Sequence, residues 1–205
     1  KRGTYLIEIS SEKSKVVSSL GKVPEKINPI CIHPMFGPGI KSIKGQNIIS
    51  VPIKDAKKEL TVVKELFAGA NFVTIDAIEH DKKIAVILGL THLMNVVFAN
   101  IISKDEKMLL TEKMSGTTFR VQKTLAESIM TETPELIETI IANPEIRRVA
   151  EELWKDVGRL LTSVQESKTE EVIEYIKNCQ ERLSKHTDLN ESYKKLTKMV
   201  KAVEK

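Results

Sequence analysis

Cysteine is nearly absent from this chain: Cys31 and Cys179 are the only two in 205 residues, and they lie in different segments. That excludes a disulfide framework. Aromatic residues are few, at 4%, which argues against the stacking platforms that hold single-stranded nucleic acid. An excess of one charge is missing as well. The formal net charge is only +4, and lysines alternate with glutamates along helical stretches, the pattern of a solvated surface rather than a nucleic-acid footprint. Neither G-x-G-x-x-G nor G-x-x-x-x-G-K-S/T occurs, so the chain holds no glycine-rich loop of the kinds that cradle a pyrophosphate. No secretory signal and no internal repeat is evident. We expect a reducing, cytoplasmic setting and no nucleic-acid partner.

What is present is ordinary for a globular protein. Apolar residues make up 41% and charged residues 29%, a balance that argues against disorder. The length supports one large core or two modest ones. Ile84 through Ile102 is apolar enough, and about long enough, for a membrane span. His92, Asn95 and Asn100 interrupt it, and Glu79-His80-Asp81-Lys82-Lys83 precedes it. Polar groups are costly in hydrocarbon, while a helix apolar on most sides suits the centre of a bundle. We expect a buried soluble helix there and no membrane partner.

The organisation changes near residue 77. Before it, β-like runs alternate with helical ones. Strands are predicted at Tyr5–Ile9, Ile30–Ile32, Asn47–Val51 and Phe72–Ile75, with a helix over Lys13–Leu20 stopped by Gly21. A second helix is capped by Asp55 and closed by Gly69. This alternation belongs to a doubly wound α/β sheet. After it, helices are predicted over 78–103, 105–131, 134–143, 145–164, 168–186 and 189–204. Thr133-Pro134 and Asn143-Pro144 each place an N-cap before a proline at the first helical position. Ser167-Lys168-Thr169-Glu170 reads as a capping box. Ile146, Val149, Ala150, Leu153, Trp154, Val157, Leu160, Leu161 and Val164 form one helical stripe, expected in the core. Helices this apolar, with about 130 residues to cover them, are expected to bury surface against a second copy.

The most informative run is Ile30-Cys31-Ile32-His33-Pro34-Met35-Phe36-Gly37-Pro38-Gly39. It sets an imidazole at the end of an apolar strand, with Pro34 pushing His33 into extended backbone and a glycine-rich turn beyond. Strand ends are where α/β proteins place ligands. The His-Pro-Met-Phe-Gly-Pro segment resembles that of the prephenate dehydrogenase family, where it carries the catalytic histidine. Further elements are similar in order: Glu8 at a strand end, then Ser11-Glu12-Lys13; Glu79-His80-Asp81; Leu90-Thr91-His92; Phe119-Arg120; and Thr133-Pro134-Glu135-Leu136. Glu8 departs from the usual Asp, and Gly116-Thr117 from the residues that usually precede the aromatic-Arg pair.

The resemblance implies the C-terminal half of a Rossmann domain over 1–76 and an all-α substrate and dimerisation domain over 77–205. Lys1 is expected to enter just before the fifth Rossmann strand, the phosphate-binding half being absent from this chain. The implied activity is the oxidative decarboxylation of prephenate, with NAD or NADP as cofactor. Arogenate is the close alternative as substrate. A non-catalytic dimerisation or ligand-sensing module is a reading of another class, supported by the missing glycine loop and opposed by the joint presence of His33, Ser11 and Arg120. A 6-phosphogluconate or hydroxyacid type of oxidoreductase is more distant, since those enzymes usually use a lysine.

Single residues then take roles. His33 is the candidate base for a hydroxyl proton, since an unperturbed imidazole has a pKa near ~6.5; otherwise it is a strand-end histidine bonded to a backbone carbonyl. A Cys31/His33 metal pair lacks two further ligands, so no metal is expected. Arg120 is the candidate clamp, because a guanidinium fork matches a carboxylate; otherwise it forms a surface or interhelical salt bridge. Ser11 and Lys13 lie where a strand gives way to a helix, and the resemblance implies substrate contacts for both. Ser10 or Ser11 could equally be the helix N-cap. By resemblance, Ser10, Ser11, Pro34 and Met35 adjoin the cofactor and His92 the substrate, although a histidine on an apolar helix is commonly a satisfied core residue. Asp81 and His92 are about 20° and ~16 Å apart on one helix and do not touch within it.

Overall fold

The computed structural model describes residues 3–37 and 39–203. Pro38, which closes the motif, Lys1, at the expected entry to the nucleotide domain, and Glu204, at the expected end of the last helix, lie outside the described residues. The chain forms two compact units. One runs up to Gly89 and includes Asn143–Ile146; the other comprises Leu90–Ala142 and the chain from Arg147 onward.

The first unit holds a four-stranded sheet of β1 (Thr4–Glu8), β2 (Ile27–Pro34), β3 (Asn47–Ser50) and β4 (Asn71–Thr74), in that spatial order. β1 and β2 are parallel through the helix α1 (Ser14–Leu20), and β3 and β4 are parallel through α2 (Ala56–Leu66). β2 and β3 are antiparallel, with His33 opposite Ile49. Alternation along β2 sorts its side chains between two cores. Ile30 and Ile32 join Ile48 and Val63 on the α2 side, while Cys31 joins Leu20 and Val51 on the α1 side. The β/α alternation expected before residue 77 is therefore present, as a mixed sheet with α1 packed on one face and α2 on the other, β1 being left exposed.

Local chemistry explains the helix starts. Asp55 caps α2 by accepting from the Lys57 and Lys58 amides. Buried Glu59 then reaches back to the amides of Ile53, Lys54 and Asp55, satisfying a turn that no strand or helix would satisfy. Asp76 caps α3 (Ala77–Ile84) in the same manner. This helix stays with the sheet because Asp81, on it, bonds the start of α1. The compact units thus part after Gly89, later than the change in sequence pattern.

A π-helical stretch, Ala85–Leu90, links α3 to α4 (Thr91–Ile102). Gly89 lies within it, against Ile146; a Cβ there would sit 2.1 Å from the Ile146 Cδ1. The continuous helix 77–102 is long and apolar enough to cross a membrane by length and composition, which on its own is weak evidence. The expectation of a buried helix is corrected in part. His92 and Asn95 are buried, whereas Val86, Ile87, Met94, Val97 and Ile101 are exposed in the single chain.

In the second unit α6 (Thr117–Ile129) packs against α4 and against α10 (Leu189–Val203). Gln122 donates to Asn95 across the α4–α6 contact at 2.8 Å. The single helix expected over 105–131 is two, α5 (Met108–Met114) and α6, because Ser115 and Gly116 adopt extended backbone. α7 (Pro134–Ile141) and α8 (Pro144–Gln165) begin as expected, with Thr133 accepting from the Leu136 amide and Asn143 from the Glu145 amide. The capping box before α9 (Thr169–Ser184) does not form. Ser167 takes a left-handed φ of 59°, and the Lys168 amide donates to the Ser163 carbonyl, so this segment ends α8 rather than capping α9. The α8 stripe is core only at its start. Ile146 and Val149 are buried, but Trp154 is 79% exposed and Val157, Leu161 and Val164 are uncovered too.

Gly89→Ala should destabilise the first unit by about 1–3 kcal/mol, because buried, β-branched Ile146 has little room to swing aside. Urea unfolding followed by circular dichroism measures this, and an unchanged midpoint would show the contact to be slack.

Candidate active site

His33 sits one residue before the end of β2, on the Cys31 face, and is 5% exposed. Its Nδ1 lies 3.0 Å from Nε2 of His80 on α3, with the rings tilted by 54°. His80 Nδ1 in turn donates to Asp81 Oδ1 at 2.8 Å. The Asp81 carboxylate also accepts from the backbone amides of Lys13 (2.9 Å, Oδ1) and Ser14 (2.8 Å, Oδ2). It therefore caps α1 from a distant part of the chain. Neither Ser10 nor Ser11 is the N-cap, and the first amides of α1 are already occupied.

Lys13, expected beside the substrate, is turned inward and fully buried. Its ammonium donates to Glu8 Oε2 and to the Ile32 carbonyl, each at 2.7 Å. A buried ammonium is tolerable only with such partners, and here it braces the ends of β1 and β2 beside His33. Glu8 completes the brace by accepting from the Ser10 amide at 2.5 Å and from the Cys31 thiol at 3.2 Å. Ser10 is exposed and Ser11, Pro34 and Met35 are half-buried. All four lie at or just beyond the C-terminal ends of two neighbouring parallel strands, the usual ligand edge of an α/β sheet.

The ionisation pattern follows from this packing. Burial, then the charges of His80 and Lys13, push the His33 pKa down to about 4. Burial lowers His80 as well, against the pull of Asp81. Burial alone would raise Asp81, but hydrogen bonds from Ser14, His80 and Lys13 outweigh it and hold the carboxyl below its ordinary value. Glu8 is likewise lowered, burial being outweighed by Lys13, Ser10 and Cys31. The Cys31 thiol is pushed up to about 12, chiefly by burial, and so stays protonated.

Arg120 and His92 belong to the second unit. Arg120 is half-buried, its Nε donating to Ser115 Oγ at 3.2 Å. It lines a cleft of about 420 Å³ with Leu109, Glu112, Lys113, Phe119, Lys123 and Thr124, and Phe119 stacks at a tilt on Phe98. His92 is buried, with Nε2 3.3 Å from Glu132 Oε2. No group of three or more metal-ligating side chains occurs among the described residues. The sequence alone assigns no role to His80 and Asp81. The signal lay in their adjacency on a helix entering from a strand end, and only tertiary packing aims it at His33.

Acid should weaken the first unit in two stages. His33 folds with a depressed pKa, so the unfolded chain binds its proton first and stability falls as pH drops from about 6.5 towards about 4. Asp81 and Glu8, also depressed, lose their contribution as pH falls further. Urea midpoints at successive pH values test this, and a flat profile between pH 7 and 4 would contradict it.

Comparison with known proteins sets this geometry in a family. The family profile described as prephenate dehydrogenase, dimerization domain, matches residues 76–178, half of the chain. No curated protein matches. Among solved structures, a prephenate dehydrogenase from A. aeolicus, in complex with hydroxyphenyl propionate and NAD+, superposes with a TM-score of 0.70 at 19% identity. The match covers 91% of this chain and 68% of that one. Synechocystis arogenate dehydrogenase superposes with a TM-score of 0.69 at 12% identity, over 91% of this chain and 71% of that one. At such identities the likeness speaks to the fold, a Rossmann remnant followed by a helical region. The profile match decides the family, and on it the chain belongs to the prephenate dehydrogenase family.

Proposed function

We propose that this chain carries the proton-accepting and substrate-holding part of an enzyme that oxidatively decarboxylates prephenate to 4-hydroxyphenylpyruvate in tyrosine biosynthesis. Arogenate, which differs in the side chain, is the alternative substrate. The reading rests on His33: a buried, neutral imidazole at the ligand edge of the sheet, inside the run that resembles the family's catalytic segment. A neutral imidazole can accept the proton of the C4 hydroxyl as the ring carbonyl forms. The ring carboxylate leaves as carbon dioxide, and aromatisation favours the products.

The residues fit the nicotinamide end of NAD or NADP, through the Ser10 and Ser11 hydroxyls and the half-buried Pro34 and Met35. Among the described residues no pyrophosphate cradle is formed at the start of α1, where the Lys13 and Ser14 amides are taken by Asp81, and the sequence contains neither G-x-G-x-x-G nor G-x-x-x-x-G-K-S/T. When bound, the nicotinamide would accept the hydride from C4. Within the second unit, Arg120 has the chemistry to pair with a carboxylate, and His92 is carried over as a substrate contact by the resemblance alone. Lys13 serves from within, by holding Glu8 and the β2 carbonyl that set the position of His33.

We also infer that the chain is a cytoplasmic homodimer. The family profile is that of a dimerization domain, and Trp154, Val157, Leu161 and Val164 leave an apolar stripe of α8 uncovered. A second copy would remove that stripe from water, at roughly 25 cal/mol for each Å² of apolar surface.

In a polypeptide that also carries the dinucleotide-binding half, His33→Asn should lower kcat on the order of 10²–10⁴-fold with little change in KM. Near-normal turnover would remove His33 from the chemistry. The 205-residue chain alone should show no nicotinamide reduction and very weak NAD binding by calorimetry; micromolar affinity would place the phosphate site in residues assigned here to other tasks. Light scattering should give a mass twice that of one 23.0 kDa chain, and Trp154→Glu should shift it towards the monomer. A monomeric parent chain would end the dimer reading.

A further inference from the structure

Two ring nitrogens 3.0 Å apart form a hydrogen bond only if one of them bears the proton. Which one does so in the His33–His80 pair follows from the far end of the chain of contacts. Asp81 accepts from two backbone amides and from His80, and an ionised carboxylate can only accept. His80 Nδ1 must then carry a hydrogen. His80 itself is 1% exposed, and a neutral ring with its proton on Nδ1 has a bare lone pair on Nε2. That lone pair faces His33 Nδ1, which must supply the hydrogen. The opposite arrangement would need His80 as an imidazolium, against burial and the Lys13 ammonium, with only Asp81 and Glu8 in its favour.

We propose that His80 and Asp81 are positioning residues that hold His33 as the Nδ1–H tautomer, leaving Nε2 as its proton acceptor. Among the described residues His33 Nε2 has no hydrogen-bond partner, and it is not among the fully buried unpartnered atoms. It remains open to a ligand. The tautomer of a histidine is set by the bond its other nitrogen makes, so the Asp81–His80–His33 line decides which atom of His33 can act. It also prepares the charged state. When His33 Nε2 gains a proton from a hydroxyl, the Nδ1–H already points at an acceptor, and the positive charge meets a line that ends on a carboxylate. The charged groups packed round the pair are Glu8 from the end of β1, Lys13 from the start of α1 and Asp81 from α3, with Cys31 beside them as a neutral thiol. Because Asp81 also caps α1, the same carboxylate sets the helix and the tautomer. This inference deepens the dehydrogenase reading and rests on it for the meaning of the open Nε2.

The test is ¹⁵N nuclear magnetic resonance of the histidine rings in the 205-residue chain near pH 7. The expected result is a pyrrole-like Nδ1 and a pyridine-like Nε2 for His33, with a coupling across the hydrogen bond to His80 Nε2. In His80→Phe the coupling should vanish and the Nε2–H tautomer should appear. A pyrrole-like Nε2 in the parent chain overturns the proposal, as does an unchanged tautomer in His80→Phe. If that variant does not fold, the parent spectrum and its coupling decide alone. The measurement involves neither substrate nor nicotinamide. A wrong tautomer therefore leaves the dehydrogenase reading standing, and inactivity in the turnover assay leaves the tautomer standing.

Discussion

The Asp81 carboxylate ties α3 to the start of α1 and, through His80, to the end of β2. It closes the start of α1 by taking the Lys13 and Ser14 amides, and it receives His80, which meets His33. A helix from one part of the chain, a strand from another and a helix start from a third are held by two oxygen atoms. The geometry makes sense of α3 belonging with the sheet. An uncapped α1 would leave orphan amides in a partly buried place, and a helix N-terminus welcomes negative charge.

An ion pair between the buried Lys13 and the part-buried Glu8 works alongside it. The ammonium end is fully buried, and buried pairs are rarely a net source of stability against a well-packed apolar alternative. Their value here is placement. Lys13 ties the Ile32 carbonyl to the end of β1, so the backbone just before His33 is fixed through hydrogen bonds rather than through apolar packing alone. The imidazole is thus held neutral by burial and oriented by contacts that all converge from within one unit.

The second unit obeys different physics. Its contacts are between helices, its polar links are few, and many large apolar side chains on α4, α5 and α8 are exposed in the single chain. A stripe that is periodic yet uncovered, as on α8, has the pattern of a buried helix without the partner that would bury it. That combination underlies the homodimer reading, and it explains why periodicity alone placed Trp154 in a core.

Local rules carried much of this protein. Alternation before residue 77, the proline-assisted helix starts at Thr133 and Asn143, and the His33-Pro34 run at a strand end were all legible, because caps, turns and periodicity depend on neighbours in sequence. What the amino-acid order could not display were relations across the chain. Lys13 turned from a substrate contact into an internal brace because Glu8 and the Ile32 carbonyl lay within reach. Ser167 closed α8 instead of capping α9, because backbone hydrogen bonds at the end of one helix outweighed a four-residue cap pattern. Packing of α3 on α1 brought His80 to His33, 47 residues back along the chain, with Asp81 behind it. Sequence alone determined which residues could do chemistry at a strand end; tertiary structure decided which nitrogen of that histidine is tied down, since a hydrogen bond is set by distance in space and not along the chain.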